Sequence, residues 1–139
     1  MTYLLDTNAV SEPSRPSPDP GLMSWARAQD EADLFVSVVT FGELRRGAVL
    51  LPQGPKRARL ERAHKQALRW YARTLLELDL ETLIAWGELS ARCRAEGVAP
   101  GMNDELIAAT ALVHDLTVVT RNTADFEQAG CRVLSPWSG

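Results

Sequence analysis

Four acidic stations punctuate this chain: Asp6, Glu43, Asp104 and the Asn122/Asp125 pair. Asp6 ends the short apolar run Thr2-Tyr-Leu-Leu, and Asn122 and Asp125 follow a second run, Leu116-Thr-Val-Val-Thr120. Asp104 opens an apolar segment of helical character, and Glu43 lies early in another. A parallel sheet gathers its strand ends and the helix starts that follow them on one edge, which is where open α/β sheets hold ligands. Four stations spread over the whole sequence thus have a way to converge. Clustered carboxylates repel one another and stay together when something offsets their charge. Oxygen ligands without Cys or His favour Mg2+ or Mn2+, one or two ions per site, over zinc. Such a site suits attack of a metal-activated water on a phosphodiester.

Each station also has a bland explanation. Asp6 suits a turn in which Thr7 or Asn8 caps the next short helix. Glu43 suits the positive end of a helix dipole, and one of Asn103 and Asp104 suits an N-cap. Ala108 and Ala111 follow Asp104 at spacings that share a helix face, and their small side chains let another backbone approach the carboxylate. Glu105 is expected to face solvent. The convergence of all four stations is what the bland explanations leave out.

The elements that must position these residues can be read in chain order. Apolar runs predict strands at 2–6, 34–39, 76–80, 116–120 and 132–134. Helical spacing predicts helices at 8–12, 21–31, from about 40 to 51, 56–76, 81–96 and from Gly101 onward. Pro13, Pro16, Pro18 and Pro20 enforce a loop, Pro52-Gln-Gly-Pro55 a break, and Gly97 a helix end. Ser37 or Thr40 caps the third helix and Asp79 is a turn or capping residue. The helix at 56–76 is expected to be the longest. Its inner stripe is Leu60, Ala67, Leu68, Tyr71 and Leu75; its outer face carries Lys56, Arg57, Arg59, Arg62, Lys65, Arg69 and Arg73. That face is either solvated, with Glu61 and Lys65 as an i,i+4 pair, or it meets phosphates or an acidic partner. Strands alternating with helices predict one α/β domain over residues 1–139 with a mainly parallel sheet.

The 139 residues are 45% hydrophobic and 24% charged, ordinary for a soluble globular chain. No apolar run is long enough to span a membrane and no signal peptide opens the sequence, so a cytoplasmic protein is expected. Cys93 and Cys131 are then reduced, half-buried thiols, and no Cys/His spacing suggests zinc. His64 and His114 sit on separate predicted helices and suit helix faces better than base catalysis. A net charge of −3 and a pI near 5.4 do not advertise a nucleic-acid binder, so any affinity for nucleic acid would come from local patches and bound metal.

Leu4-Leu-Asp-Thr-Asn8 resembles the opening motif of PIN domains. Thr40-Phe-Gly-Glu-Leu-Arg-Arg-Gly47 resembles their second acidic motif, Asn103-Asp-Glu-Leu-Ile-Ala-Ala-Thr-Ala111 the third, and Val119-Thr-Arg-Asn-Thr-Ala-Asp-Phe126 the fourth. The Pro-rich stretch after Ser11-Glu12 and the terminal Ser-Pro-Trp137 look most similar to VapC/FitB-type toxins of bacterial toxin–antitoxin pairs. The resemblance implies a three-layer α/β/α sandwich and a Mg2+- or Mn2+-dependent endoribonuclease. It makes Asp6, Glu43 and Asp104 the core metal ligands, with either Asn122 or Asp125 completing the set. Thr7, Asn8 and Thr120 would orient carboxylates or metal waters. It also implies a homodimer or higher assembly and a cognate antitoxin, with Arg46, Arg62, Lys65 and Arg69 as candidate contacts for RNA or antitoxin. A DNA nuclease using the same site, and a catalytically silent binding module, are the alternatives.

Overall fold

The computed structural model describes residues 1–138. Five strands form one parallel sheet: β1 (Tyr3–Leu5), β2 (Leu34–Ser37), β3 (Leu75–Leu76), β4 (Thr117–Val119) and β5 (Val133–Leu134), in the order β3-β2-β1-β4-β5. The mainly parallel sheet expected from sequence is therefore parallel throughout. The chain starts in the centre at β1, builds outward through β2 and β3, then returns to the other side of β1 with β4 and β5. The crevice between the carboxyl ends of β1 and β4 is thus a topological switch point, where neighbouring connections leave in opposite directions.

Strand periodicity sorts the sheet into two faces, because successive side chains alternate sides. Leu4 and Val118 point into a cluster with Leu89, Cys93, Ile107, Ala108, Ala111 and Phe126. These come from α5 (Leu80–Ala95), α6 (Met102–His114) and α7 (Thr123–Gln128). Leu5, Val36 and Val119 point the other way, into a cluster with Ala9, Val10, Leu22 and Leu44. That side is covered by α1 (Thr7–Ser11), α2 (Pro20–Arg27), α3 (Val38–Val49) and α4 (Pro55–Trp70). The result is the three-layer α/β/α sandwich.

Several elements are shorter than their sequence patterns imply. The helix expected at 21–31 stops at Arg27, and Glu31–Asp33 forms a separate 3-10 turn capped by Asp30. The second strand ends at Ser37, whose hydroxyl accepts the Val39 N–H at 3.1 Å and starts α3 two residues early. Thr40 lies inside that helix. The helix expected at 56–76 ends at Trp70 and shares the greatest length, 16 residues, with α5. Leu75 leaves that helix and joins Leu76 in β3; the alternating stretch beyond, to Leu80, does not extend the strand. Asp79 instead caps α5, accepting the Thr82 N–H at 2.9 Å. Residues 123–128, read only as a strand-following segment, form α7.

Cys93 and Cys131 are free thiols more buried than expected, at 0% and 9% exposure. Leu112 and Met102 are exposed on α6, so that helix is buried on one broad face rather than nearly all round. Ala108 is fully buried, and its carbonyl lies 3.6 Å from the Cys131 Sγ. Its methyl group is enclosed in the core cluster with Leu4, Val118 and Phe126, where the three further carbons of a leucine would overpack. Ala108→Leu is therefore expected to destabilise the fold by about 1–3 kcal/mol. A lower urea midpoint at unchanged slope would show this; an unchanged midpoint would mean the contact is loose.

Candidate active site

The switch-point edge collects the acidic stations. Asp6 leaves β1 and is itself the N-cap of α1: its Oδ1 accepts the Ala9 N–H at 2.9 Å. Neither Thr7 nor Asn8 supplies that cap. The Asp6 N–H bonds back to the Val119 carbonyl at 3.1 Å, which ties the end of β1 to the end of β4. Asp6 is only 4% exposed. Burial raises its pKa; the Thr120 hydroxyl and the Ala9 and Asn8 N–H groups pull it down, and the charge of Glu43 pushes it up again. Asn8 thus contributes its backbone, while its side chain is exposed.

Glu43 lies in the second turn of α3 and accepts a short hydrogen bond from the Thr7 hydroxyl. The Thr40 hydroxyl is 3.2 Å from Thr7 Oγ1. Since the Thr7 proton goes to Glu43, Thr40 is the donor in that second contact. This buried hydroxyl pair fixes the Glu43 carboxylate to the start of α1.

Asp104 is in the first turn of α6, not at its cap. Gly101 occupies the N-cap with φ +97° and no side-chain bond. The capping role expected for Asn103 or Asp104 is therefore not taken, and the Asp104 carboxylate is left to face the site. Its pKa is pushed up to about 6, first by burial, then by the charges of Glu43, Asp6 and Asp125, against a hydrogen bond from Asn122. The stations from four distant segments thus share one electrostatic field.

The segment after β4 supplies the fourth station. Thr120 is fully buried, and its Oγ1 accepts the Asn122 N–H at 2.9 Å. The Asn122 Nδ2 donates to Asp125 Oδ2 at 2.8 Å. Asn122 and Asp125 are therefore one hydrogen-bonded unit. Glu105 does not point to solvent as expected: it turns to α5 and accepts the Trp86 indole N–H at 3.3 Å.

Among the described residues, no three acidic, His or Cys side chains form a closed metal cage. Each carboxylate is parked on a donor: Asp6 on α1, Glu43 on Thr7, Asp125 on Asn122. Asp104 carries the repulsion of the other three, eased only by the hydrogen bond from Asn122. An all-oxygen donor set with surplus negative charge fits a hard divalent cation.

Two further features lie near this edge. A concavity of about 630 Å³ opens between α1, α2 and α4, lined by Val10, Leu22, Trp25, Ala67, Trp70 and Tyr71 among others. Glu12 is 4% exposed, an acid the sequence reading used only as a marker. A lone Glu before a proline run carries no signal of burial. On α3 and α4, Arg46, Arg62, Lys65 and Arg69 are exposed, and among the described residues none lies within ion-pair distance of a carboxylate. Glu61 pairs not with Lys65 but with Arg45 at 2.6 Å and Arg57 at 3.6 Å. Among the described residues Lys65 is thereby left without an acidic partner, whereas Arg57, expected on the outer face, is drawn in at 14% exposure. His64 is half-buried on the same helix, and burial lowers its pKa.

Nearly the whole chain is similar to known proteins. The family described as "PIN domain" matches residues 3–130. The VapC ribonuclease Y4jK of Sinorhizobium fredii is 36% identical over 135 residues, 96% of each chain. Toxin FitB of Neisseria gonorrhoeae is also 36% identical over 135 residues, 96% of this chain and 97% of its own. The crystal structure of FitAcB from Neisseria gonorrhoeae superposes with a TM-score of 0.89 at 35% identity, covering 99% of this chain and 100% of that one.

The raised pKa of Asp104 gives a test in the metal-free protein. Between pH ~4 and ~6 the folded state holds a proton that the unfolded state releases, so stability falls as pH rises through that window. Asp104→Asn removes this penalty. After allowance for solvent screening of a half-exposed group, the variant is expected to be more stable at pH 7 by on the order of 1 kcal/mol. The difference should vanish near pH 4. Equal stability of the two proteins at both pH values would mean that the carboxylates do not interact.

Proposed function

The chain belongs to the PIN-domain family, and on that premise we propose that it is a Mg2+- or Mn2+-dependent endoribonuclease acting as the toxin of a toxin–antitoxin pair. The observation that carries this reading is the meeting of Asp6, Glu43, Asp104 and Asp125 at one sheet edge, where burial first and then the neighbouring charges push Asp104 up to about 6. Relatives of matching length named as a VapC ribonuclease and as a toxin support the substrate class and the role.

Asp6, Glu43 and Asp104 are the residues that would hold the cation, with the Asn122–Asp125 unit completing the set. When bound there, a divalent ion supplies a Lewis acid for a phosphate oxygen and a lowered pKa for the attacking water. The protein's own part is orientation. Thr7 holds Glu43, Thr120 and the α1 N–H groups hold Asp6, and Asn122 holds Asp125 while donating toward Asp104. Asp104 enters the site from the first turn of α6, where its charge is half shielded from water and favours a cation over a proton at neutral pH.

An RNA strand needs a cationic approach to an acidic pocket. Arg46, Arg62, Lys65 and Arg69 are proposed to meet the RNA backbone or the antitoxin. The apolar concavity between α1, α2 and α4 is of a kind that takes the apolar face of a partner helix, and we assign it to the antitoxin. Homodimerisation is part of the proposal by family likeness.

Purified protein should cleave labelled single-stranded RNA in Mg2+ or Mn2+, lose the activity in EDTA, and lose it in Asp104→Asn. Single-stranded DNA cleaved equally well would favour a general nuclease. Equal RNA cleavage by both proteins would expose a contaminant, and metal binding without cleavage would support a silent binding module. Independently, replacing Arg62, Lys65 and Arg69 together by alanine should weaken RNA binding and flatten the slope of log K against log salt by about 2. An unchanged slope together with unchanged antitoxin binding would show that the stripe is only solvated.

A further inference from the structure

Glu12 ties together three segments that are distant in sequence. Its Oε2 accepts the Asp19 N–H at 2.9 Å, across the proline-rich loop. Its Oε1 accepts the Trp137 indole N–H at 3.4 Å and lies 3.5 Å from an Arg15 guanidinium nitrogen. The Arg121 guanidinium is 3.9 Å from the same oxygen and lies over the Trp137 ring, 5.3 Å from its centroid. A buried carboxylate is retained only where donors and cations surround it. Here they come from the loop after α1, the chain terminus and the β4–α7 connection.

The tryptophan is held on its other side as well. The Ser138 N–H donates to Asp19 Oδ2 at 2.9 Å, and the Gly21 N–H donates to Ser138 Oγ at 2.9 Å. Gly21 has to be glycine for this seat: a methyl group there would lie 2.5 Å from the Pro136 carbonyl oxygen. The terminal segment 136–138 is therefore strapped against the start of α2.

Arg121 is the residue between Thr120 and Asn122. Thr120 and Asn122 turn toward the carboxylates, whereas Arg121 turns to Trp137 and Glu12. Three consecutive residues are thus gripped from two sides. The contacts of Arg121 with Trp137 and Glu12 restrict the backbone between Thr120 and Asn122 from the side opposite the carboxylates. We propose that Glu12 is a positioning residue, acting through Trp137 and Arg121 to hold the Thr120–Asp125 segment in register with Asp6 and Asp104. The inference rests on the cation-site reading for its consequence in metal affinity, but the strut itself is independent of it.

Mn2+ affinity of the full chain and hydrogen exchange of the Asn122 amide test this together. Trp137→Ala, Arg121→Ala and Glu12→Gln are expected to weaken Mn2+ binding about tenfold or more and to speed Asn122 exchange. Trp137→Phe keeps a ring under Arg121 but loses the N–H donated to Glu12, and should fall between wild type and Trp137→Ala. Arg132→Ala breaks an ion pair with Asp115 near the opposite end of β4 and should change neither readout. Variants that lower only the metal-free melting temperature, with Mn2+ affinity and Asn122 exchange unchanged, would overturn the proposal and leave a purely structural strap. If the wild type binds no Mn2+, the cation-site reading fails. The strut is then supported by faster Asn122 exchange in the variants and overturned by unchanged exchange.

Discussion

Repulsion between carboxylates is the constraint on which the rest of this structure depends. Asp6, Glu43, Asp104 and Asp125 come from four segments, and their charges are felt together at Asp104. A fold left to maximise its own stability would scatter them. Here the parallel sheet brings them to one edge, and hydrogen bonds from Thr7, Thr120, Asn122 and the start of α1 hold three of them in place. Strain of this kind is kept where a ligand relieves it, and a cation bound at this edge, as proposed, would relieve it.

The architecture supplies the rigidity that such an edge requires. Alternation along β1 and β4 sends Leu4 and Val118 to one core and Leu5 and Val119 to the other, so the two central strands are packed from both faces. Asp6 follows immediately on β1, and Thr120 on β4. Both inherit the immobility of the strands, and the Asp6 N–H bond to Val119 joins them directly. The fourth station lies one turn beyond that rigid frame. It depends on a second support, which the Glu12–Trp137–Arg121 contacts provide.

Much of this was legible in the sequence. Apolar runs ending in Asp6 and Thr120 mark the central strands, and proline and glycine mark most of the breaks. The spacing of the four stations implied their meeting. What misled was local chemistry overridden by context. Asn103 and Asp104 look like caps, but Gly101 takes that position and frees the carboxylate. Glu61 and Lys65 have the right spacing for a pair, but Arg45 from α3 and Arg57 take Glu61 instead. Leu75 continues a helical stripe in sequence and yet joins β3, because pairing with β2 outweighs propensity at a helix end. Glu12 could not be read as buried, since its partners Asp19, Arg121 and Trp137 are brought to it only by the fold.

The most direct measurement is anomalous diffraction from a crystal soaked in Mn2+ at neutral pH. The account expects one strong peak in contact with the Asp6 and Asp104 carboxylates, with Glu43 and the Asn122–Asp125 unit turned toward it, and loss of that peak in Asp104→Asn. A soaked crystal with no peak at this edge, or with Mn2+ bound elsewhere and the carboxylates still parked on their donors, would contradict it.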